Sequence, residues 1–309
     1  MPHELKVGVI GVGRLGNIHS RVYTEFPHVK LVGVCDTILE KAETAAQNYH
    51  TQAFTDSKNL IPLVDAVSIA TPTNTHFEIA KEAILLNKHV LIEKPITDNL
   101  RQAKALIKLA RKKKIILQVG HVERFNSAFI AVQKIVTSPR FIECHRLSPF
   151  PNRSLDIGVV FDLMIHDLDI LLGLIHSRVK HIDAVGVSVL TPFEDIANVR
   201  LHFQNGCIAN LTASRISEEP LRKIRIFLKD TYISLDYQLQ EAFCYKKEKT
   251  AIIKTPLPIE KEEPIKKEIE SFLLCVRNNR KPVVSGLEAY QALKLATKIR
   301  DIIWKKRFL

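Results

Sequence analysis

Through residues 1–121, short β-branched apolar runs alternate with stretches whose apolar residues recur at helical spacing. The runs are LKVGVI (5–10), KLVGVCD (30–36), DAVSIAT (65–71), HVLIEKP (89–95) and IILQVG (115–120). Nearly continuous apolar strands of this kind are buried on both faces, as in a parallel sheet. Between them EKAETAAQNY (40–49), THFEIAKEAILLN (75–87) and NLRQAKALIKLARKK (99–113) read as helices. Strand–helix alternation predicts right-handed βαβ units in an open, doubly wound parallel sheet of the Rossmann type.

The pattern changes after residue 121. FIECHRLSP (141–149), IDAVGVSVLT (182–191), IANVRLHFQ (196–204), CIANLTASRI (207–216), RKIRIFLKD (222–230), TYISLDYQ (231–238) and EAFCYKK (241–247) alternate apolar with polar. Asn205-Gly206 between two of them is a two-residue hairpin signal. Helices are expected near 127–137, 262–277 and 286–305, the last preceded by Ser285 and Glu288 at capping-box spacing. The expectation is an α/β fold of two domains: 1–121 binds nucleotide, and 122–309 is a substrate and oligomerisation domain with a largely antiparallel open sheet. The C-terminal helices are free to pack back on the first domain. One face of the open sheet needs a cover, which predicts a homodimer or homotetramer.

One stretch mixes the two kinds of position. VVFDLMIHDLDI (159–170) is apolar enough for core yet carries Asp162, His166, Asp167 and Asp169. On an α-helical wheel Phe161, Met164, Ile165, Leu168, Leu171 and Leu172 share one side. Asp162, His166 and Asp169 fall within about 60° of one another on another side. Asp167 points elsewhere, toward solvent or a structural partner. Metal ligation, an acid/base set and a satisfied structural stripe all fit this pattern. No other His/Cys cluster at ligand spacing supports a metal, so none is expected.

The first apolar run ends in GVGRLG (11–16), and the next ends in an acid, Asp36. Gly11 permits a tight turn, Gly13 lets backbone approach a pyrophosphate, and Gly16 lets the helix pack close to the sheet. Arg14 and Leu15 open a helix whose N-terminal N–H groups and dipole suit phosphates. Asp36 is spaced to bind ribose hydroxyls and repels a 2′-phosphate. Thr37 follows it rather than an arginine, which favours NAD over NADP. In an open parallel sheet, ligands lie beyond the carboxyl ends of the strands. ATPTNTH (70–76), EKP (93–95) and the VGH at 119–121 therefore face the same crevice. They bring Thr71, Thr73, Asn74, His76, Glu93, Lys94 and His121 to the cofactor side. Thr73 or Asn74 would also cap the following helix, and the Lys94–Pro95 bond is a candidate cis peptide.

Charge and cysteines add limits. The formal net charge is +12, but most of the excess sits in RKKK (111–114), YKKEK (245–249) and WKKR (304–307), short runs at helix ends or turns, and no basic stripe is interleaved with aromatics. Nucleic acid is not the expected partner; an anionic small molecule is. Cys35, Cys144, Cys207, Cys244 and Cys275 form no CxxC pair, which argues against a disulfide framework or a thiolate zinc site. No apolar run approaches the roughly 20 residues of a membrane span, and MPHELKVGVI lacks a signal pattern. A cytoplasmic protein with no membrane partner is expected.

The ordered set GVGRLG, ATPTNTH, EKP and DLMIH resembles the Gfo/Idh/MocA family of NAD(P)-dependent oxidoreductases through almost the whole chain. The resemblance implies that Lys94 contacts cofactor and substrate, that Asp162 and His166 complete the site, and that the enzyme is an oligomer. VGHVERFN (119–126) with HRLSPFPNRSLDIGVVFDLMIHD (145–167) is similar to a subgroup of the family, bacterial UDP-N-acetylglucosamine 3-dehydrogenases. Those make a 3-keto sugar nucleotide that an aminotransferase converts to an amino sugar for lipid A.

His166 is the general base expected for the hydroxyl proton as hydride leaves carbon, with Lys94 the alternative first acceptor. Asp162 orients the imidazole or holds Lys94, and Lys94 stabilises the developing alkoxide. Arg124, Asn126, Arg146 and Arg153 are the candidates for sugar hydroxyls and a diphosphate. The alternatives are a dehydrogenase of a free sugar, inositol or another small ring, and a non-catalytic NAD-binding protein.

Overall fold

The computed structural model describes residues 4–150 and 157–306. By contacts the chain forms two compact units, residues 1–122 with 265–290, and residues 123–264 with 291–309.

In the first unit, strands β1 (Leu5–Ile10), β2 (Val29–Cys35), β3 (Gln52–Phe54), β4 (Ala66–Ile69), β5 (His89–Glu93) and β6 (Leu117–Gly120) form one sheet in the order β3-β2-β1-β4-β5-β6. Every pairing is parallel. Strand order reverses beside β1, between β2 and β4, which is where such sheets bind ligands. Val7, Val9, Val34, Val67, Ile69, Leu91, Ile92 and Val119 are fully buried, as strands covered on both faces require. Helices α1 (Arg14–Thr24), α2 (Leu39–Asn48), α3 (Ser57–Leu60), α4 (Thr73–Leu85) and α5 (Leu100–Lys113) connect the strands.

The second unit begins with α6 (Ser127–Gln133) and β7 (Phe141–Leu147) and contains α7 (Ile165–Leu174). Its sheet is completed by β8 (Val179–Val187), β9 (Ile196–Phe203), β10 (Ile208–Ser214), β11 (Leu221–Phe227), β12 (Thr231–Asp236), β13 (Glu241–Glu248) and β14 (Ala251–Pro256). The order is β14-β13-β12-β11-β7-β10-β9-β8. All neighbours are antiparallel except β7 and β10. One face is core: Ile142, Val199, Leu201, Leu211, Ile224, Ile226 and Ile233 pack with Met164, Leu168 and Leu171 of the site stretch. The other face carries a ladder of rings, Phe141–Phe227–Tyr232–Tyr245, with centroids 5.5, 5.1 and 4.3 Å apart across four adjacent strands.

After β14 the chain returns to the first unit as α8 (Pro264–Asn278), burying Ile269 and Phe272 with Leu5, Val9 and Tyr23. The last helix, α9 (Gly286–Lys306), contributes to both units. Its start has the expected box: Glu288 Oε2 accepts from the Ser285 amide at 3.0 Å, and Ser285 Oγ accepts from the Leu287 amide at 3.2 Å.

Two local expectations are corrected. The Asn205-Gly206 hairpin is not a two-residue loop. Phe203 accepts from the amide of Gly206 at 3.1 Å, and only Gly206 is left-handed, at φ +87°. That is a type I turn followed by a glycine bulge. Neither Thr73 nor Asn74 caps α4, because the helix starts at Thr73 and Pro72 holds the cap position.

Candidate active site

The glycine turn divides its residues by what surrounds them. A Cβ on Gly11 would meet the Ala70 carbonyl at 2.8 Å, and one on Gly16 would lie 1.7 Å from the Gly11 oxygen. Both glycines are therefore required by the protein's own packing. A Cβ on Gly13 would meet nothing within 4 Å. Gly13 and Arg14 are exposed and Leu15 half-buried at the N-terminus of α1, which has no side-chain cap. Backbone that is open here, beside a helix N-terminus, suits a phosphate. Asp36 braces the turn: its carboxylate accepts from the Val12 and Ile38 amides at 3.0 Å each. Asn17 adds two bonds the sequence did not suggest, donating from Nδ2 to the Val12 carbonyl at 2.6 Å and the Gly13 carbonyl at 3.0 Å. These residues fit a dinucleotide: the Gly13 carbonyl is held by Asn17, and the side of Gly13 where a Cβ would stand is open.

Along the same strand ends, Thr71 and Thr73 are half-buried and Asn74 is exposed. His76 is not presented to a ligand. It is 1% exposed, with Nδ1 2.9 Å from the Pro95 carbonyl oxygen and Nε2 2.9 Å from that of Thr71. It clasps the two loops, and burial pushes its pKa below the usual imidazole value against the pull of those carbonyls. Glu93 is likewise turned inward: Oε1 lies 3.2 Å from His19 Nε2, and Oε2 accepts from the Lys94 amide at 3.2 Å. His121 is 1% exposed. Direct cofactor contact from His76, Glu93 and His121 is thus not what their burial supports. Lys94 is half-buried at the end of β5, and the Lys94–Pro95 peptide is cis.

In the second unit, the site stretch is not α-helical throughout. Val160–Met164 is a π turn, and α7 follows it. Such turns are rare and frequent at functional sites. The single α-helical wheel therefore does not hold across it. Asp162 and His166 are half-buried, whereas Asp169 and Asp167 are 2% and 3% exposed. Asp169 leaves the stripe predicted for it and pairs with Arg124, Nε–Oδ2 3.1 Å. Of the two alternatives for Asp167 the structural partner holds: both its oxygens accept from Arg146, each at 2.9 Å. The third guanidinium nitrogen of Arg146 donates to Glu123 at 2.8 Å. Burial opposes that guanidinium's charge, but Asp167 and Glu123 outweigh it and hold the proton more firmly than usual. Glu194 steadies the start of the stretch, accepting from the Val159 amide through its carbonyl at 3.0 Å and from Trp304 Nε1 through Oε2 at 3.3 Å.

Three of the four residues expected to hold the sugar hydroxyls or a diphosphate are thereby engaged within the protein instead. Arg146 has all three nitrogens on carboxylates. Arg124 is engaged by Asp169 and lies over the Gly173 backbone. Asn126 is 2% exposed, caps α6 at the Ala128 amide (3.1 Å) and donates to the Tyr237 carbonyl (3.0 Å). Arg153 lies outside the described residues. The sequence missed Glu123, His19 and Glu268 because their partners lie elsewhere in the fold.

A parallel sheet with this open glycine turn and an acid at the end of the neighbouring strand is a dinucleotide-binding Rossmann domain. Residues 5–121 match the model of the oxidoreductase family with NAD-binding Rossmann fold, and residues 133–233 match the GFO/IDH/MocA C-terminal domain. The chain belongs to the Gfo/Idh/MocA family of oxidoreductases. It is 37% identical over 304 residues to UDP-N-acetylglucosamine 3-dehydrogenase of Acidithiobacillus ferrooxidans, covering 96% of each. A solved structure of that enzyme superposes with a TM-score of 0.93 at 38% identity, covering 98% of both chains. The scyllo-inositol 2-dehydrogenase (NAD(+)) of Bacillus subtilis is 27% identical over 312 residues, covering 94% of this chain and 91% of its own. Among the described residues no helix is long and apolar enough to cross a membrane.

Proposed function

We propose that the protein is an NAD-dependent dehydrogenase that oxidises C3 of the glucosamine ring in UDP-N-acetylglucosamine, giving the keto sugar nucleotide that precedes an amino sugar of lipid A. The observation that carries this reading is 37% identity to a UDP-N-acetylglucosamine 3-dehydrogenase from end to end. The inositol-type relative is more distant at comparable coverage. Preference for NAD rests on Asp36, whose anchored carboxylate repels a 2′-phosphate, and on the absence of an adjacent arginine.

When bound, the nicotinamide supplies the hydride acceptor. The chain supplies the rest. His166, half-buried on the π/α junction, takes the proton of the reacting hydroxyl. Asp162, one turn earlier, orients the imidazole. Lys94 donates to the reacting oxygen and stabilises negative charge as it develops. The Arg146–Asp167–Glu123 and Arg124–Asp169 pairs hold the helix that carries Asp162 and His166. A second copy of the chain covers the ring ladder of the sheet's outer face, making a homodimer or a homotetramer. A panel of UDP-sugars, free sugars and inositols with NAD tests the reading. Turnover confined to inositols or free sugars removes the sugar-nucleotide assignment.

A further inference from the structure

Beneath the Lys94 turn, inside the first unit, lies a polar cluster that the reaction as drawn does not use. His19 and Tyr23 come from α1, Ser68 from β4, Glu93 from β5 and Glu268 from α8. His19, Tyr23, Ser68 and Glu268 are 0% exposed. Tyr23 Oη lies 2.7 Å from Ser68 Oγ, which lies 3.1 Å from His19 Nδ1. His19 Nε2 meets Glu93 Oε1 at 3.2 Å, and Glu93 Oε2 receives the Lys94 amide. The row runs unbroken from a buried tyrosine to the backbone of Lys94. Gly120 leaves the space for it, since a Cβ there would lie 2.9 Å from Glu93 Oε2.

Glu268 faces this row. One ligand-type atom from each of His19, Glu93 and Glu268 lies within 4.8 Å of the others. Neither carboxyl oxygen of Glu268 has a hydrogen-bond partner among the described residues. Two ionised carboxylates this close and this dry would repel strongly. Burial first, then Glu93, pushes the pKa of Glu268 well up. Burial opposes ionisation of Glu93 too, but His19, the Lys94 charge and the Lys94 amide outweigh it and hold that carboxyl below its usual value. The pair therefore keeps one proton, on Glu268, and one negative charge, on Glu93.

We propose that His19, Glu93 and Glu268 form a buried brace for the Lys94 turn, in which Glu93 is the positioning residue for Lys94. The inference rests on the proposed role of Lys94 in the reaction. A bound cation is the competing occupant of the same three groups. The hydrogen-bond row already satisfies His19 and Glu93 without one.

The test is a double-mutant cycle on kcat with Glu93→Gln and Lys94→Ala. Glu93→Gln is expected to lower kcat about ten- to hundredfold, as small misplacements of a reacting group do, while the KM for NAD stays near wild type. In the Lys94→Ala background the same change is expected to have almost no further effect. Glu268→Ala lowers kcat, and Glu268→Gln, neutral and of the same shape, restores most of it. Fully additive effects of Glu93→Gln and Lys94→Ala would overturn the proposal, as would stoichiometric metal in the purified protein that Glu268→Gln removes. The infrared spectrum of the resting protein should show a protonated-carboxyl C=O stretch that disappears in Glu268→Gln. Absence of that band overturns the brace whatever the enzyme's substrate. Conversely, the band in a protein that oxidises no sugar supports the brace and sinks the functional reading alone.

Discussion

Arg146 grips Asp167 with two parallel hydrogen bonds, Nε to Oδ2 and Nη2 to Oδ1, both 2.9 Å, with both side chains nearly sealed from water. A dry pair of this kind fixes geometry, and removing one partner leaves a buried charge uncompensated. Arg146→Ala and Asp167→Asn are each expected to destabilise the fold by about 3–5 kcal/mol, read from urea denaturation. A substrate-binding role for Arg146 predicts the opposite pattern, a raised KM with unchanged stability.

The glycine turn gives a paired prediction. Gly16→Ala drives a methyl into the Gly11 carbonyl and should unfold or strongly destabilise the protein. Gly13→Ala meets no protein atom, so its cost to stability should stay within about 1 kcal/mol. Its affinity for NAD should nonetheless fall by roughly tenfold or more if that open backbone is the proposed pyrophosphate site. Thermal melting and NAD titration of the two variants separate the roles.

Acid should act through Asp195. Burial opposes its ionisation, but the Thr191 hydroxyl, the Leu190 and Thr191 amides and Arg215 outweigh it, and its pKa is held well below the usual 3.8. A depressed carboxyl contributes stability that is present above its unfolded pKa and is lost as pH falls toward the folded one. Stability should therefore drop below roughly pH 4, and Asp195→Asn should be less stable at neutral pH with a flatter acid limb. Glu268 runs the other way. Its raised pKa means that stability falls as pH rises above its ordinary 4.5, and Glu268→Gln should remove that slope.

The outer sheet face predicts assembly. Tyr232 and Tyr245 stack at 4.3 Å at one end of the ring ladder, and contiguous apolar surface of this kind is normally covered. Sedimentation should show a dimer or tetramer, and Tyr232→Glu with Tyr245→Glu should shift it toward monomer. A wild-type monomer at micromolar concentration would contradict the proposed cover.

What the sequence revealed follows from distance along the chain. The glycine turn with Asp36 and the Ser285–Glu288 box are local or nearly local chemistry and were legible. Strands β3 and β14 were not, the first because three residues carry no period, the second because its residues are exposed on both faces. The π turn escaped because hydrophobic spacing was read at α-helical pitch. Asp169 was put on the wrong stripe, and the partner of Asp167 went unnamed, for a different reason. Asp167 and Asp169 find partners 21 and 45 positions away, in Arg146 and Arg124, and no periodicity reports that. His19 and Glu93 are 74 positions apart, so the buried row below Lys94 was invisible until the strands were paired.

Incubation with NAD and UDP-N-acetylglucosamine, following NADH formation and the mass of the sugar nucleotide, tests the proposed dehydrogenase activity itself. The expected result is NADH together with a product lighter by one H2, its carbonyl at C3. Losses of about 10²–10⁴-fold in kcat are expected for His166→Ala and Lys94→Ala. Oxidation of inositols or free sugars without any keto sugar nucleotide, or unchanged turnover in both variants, would contradict the proposed function.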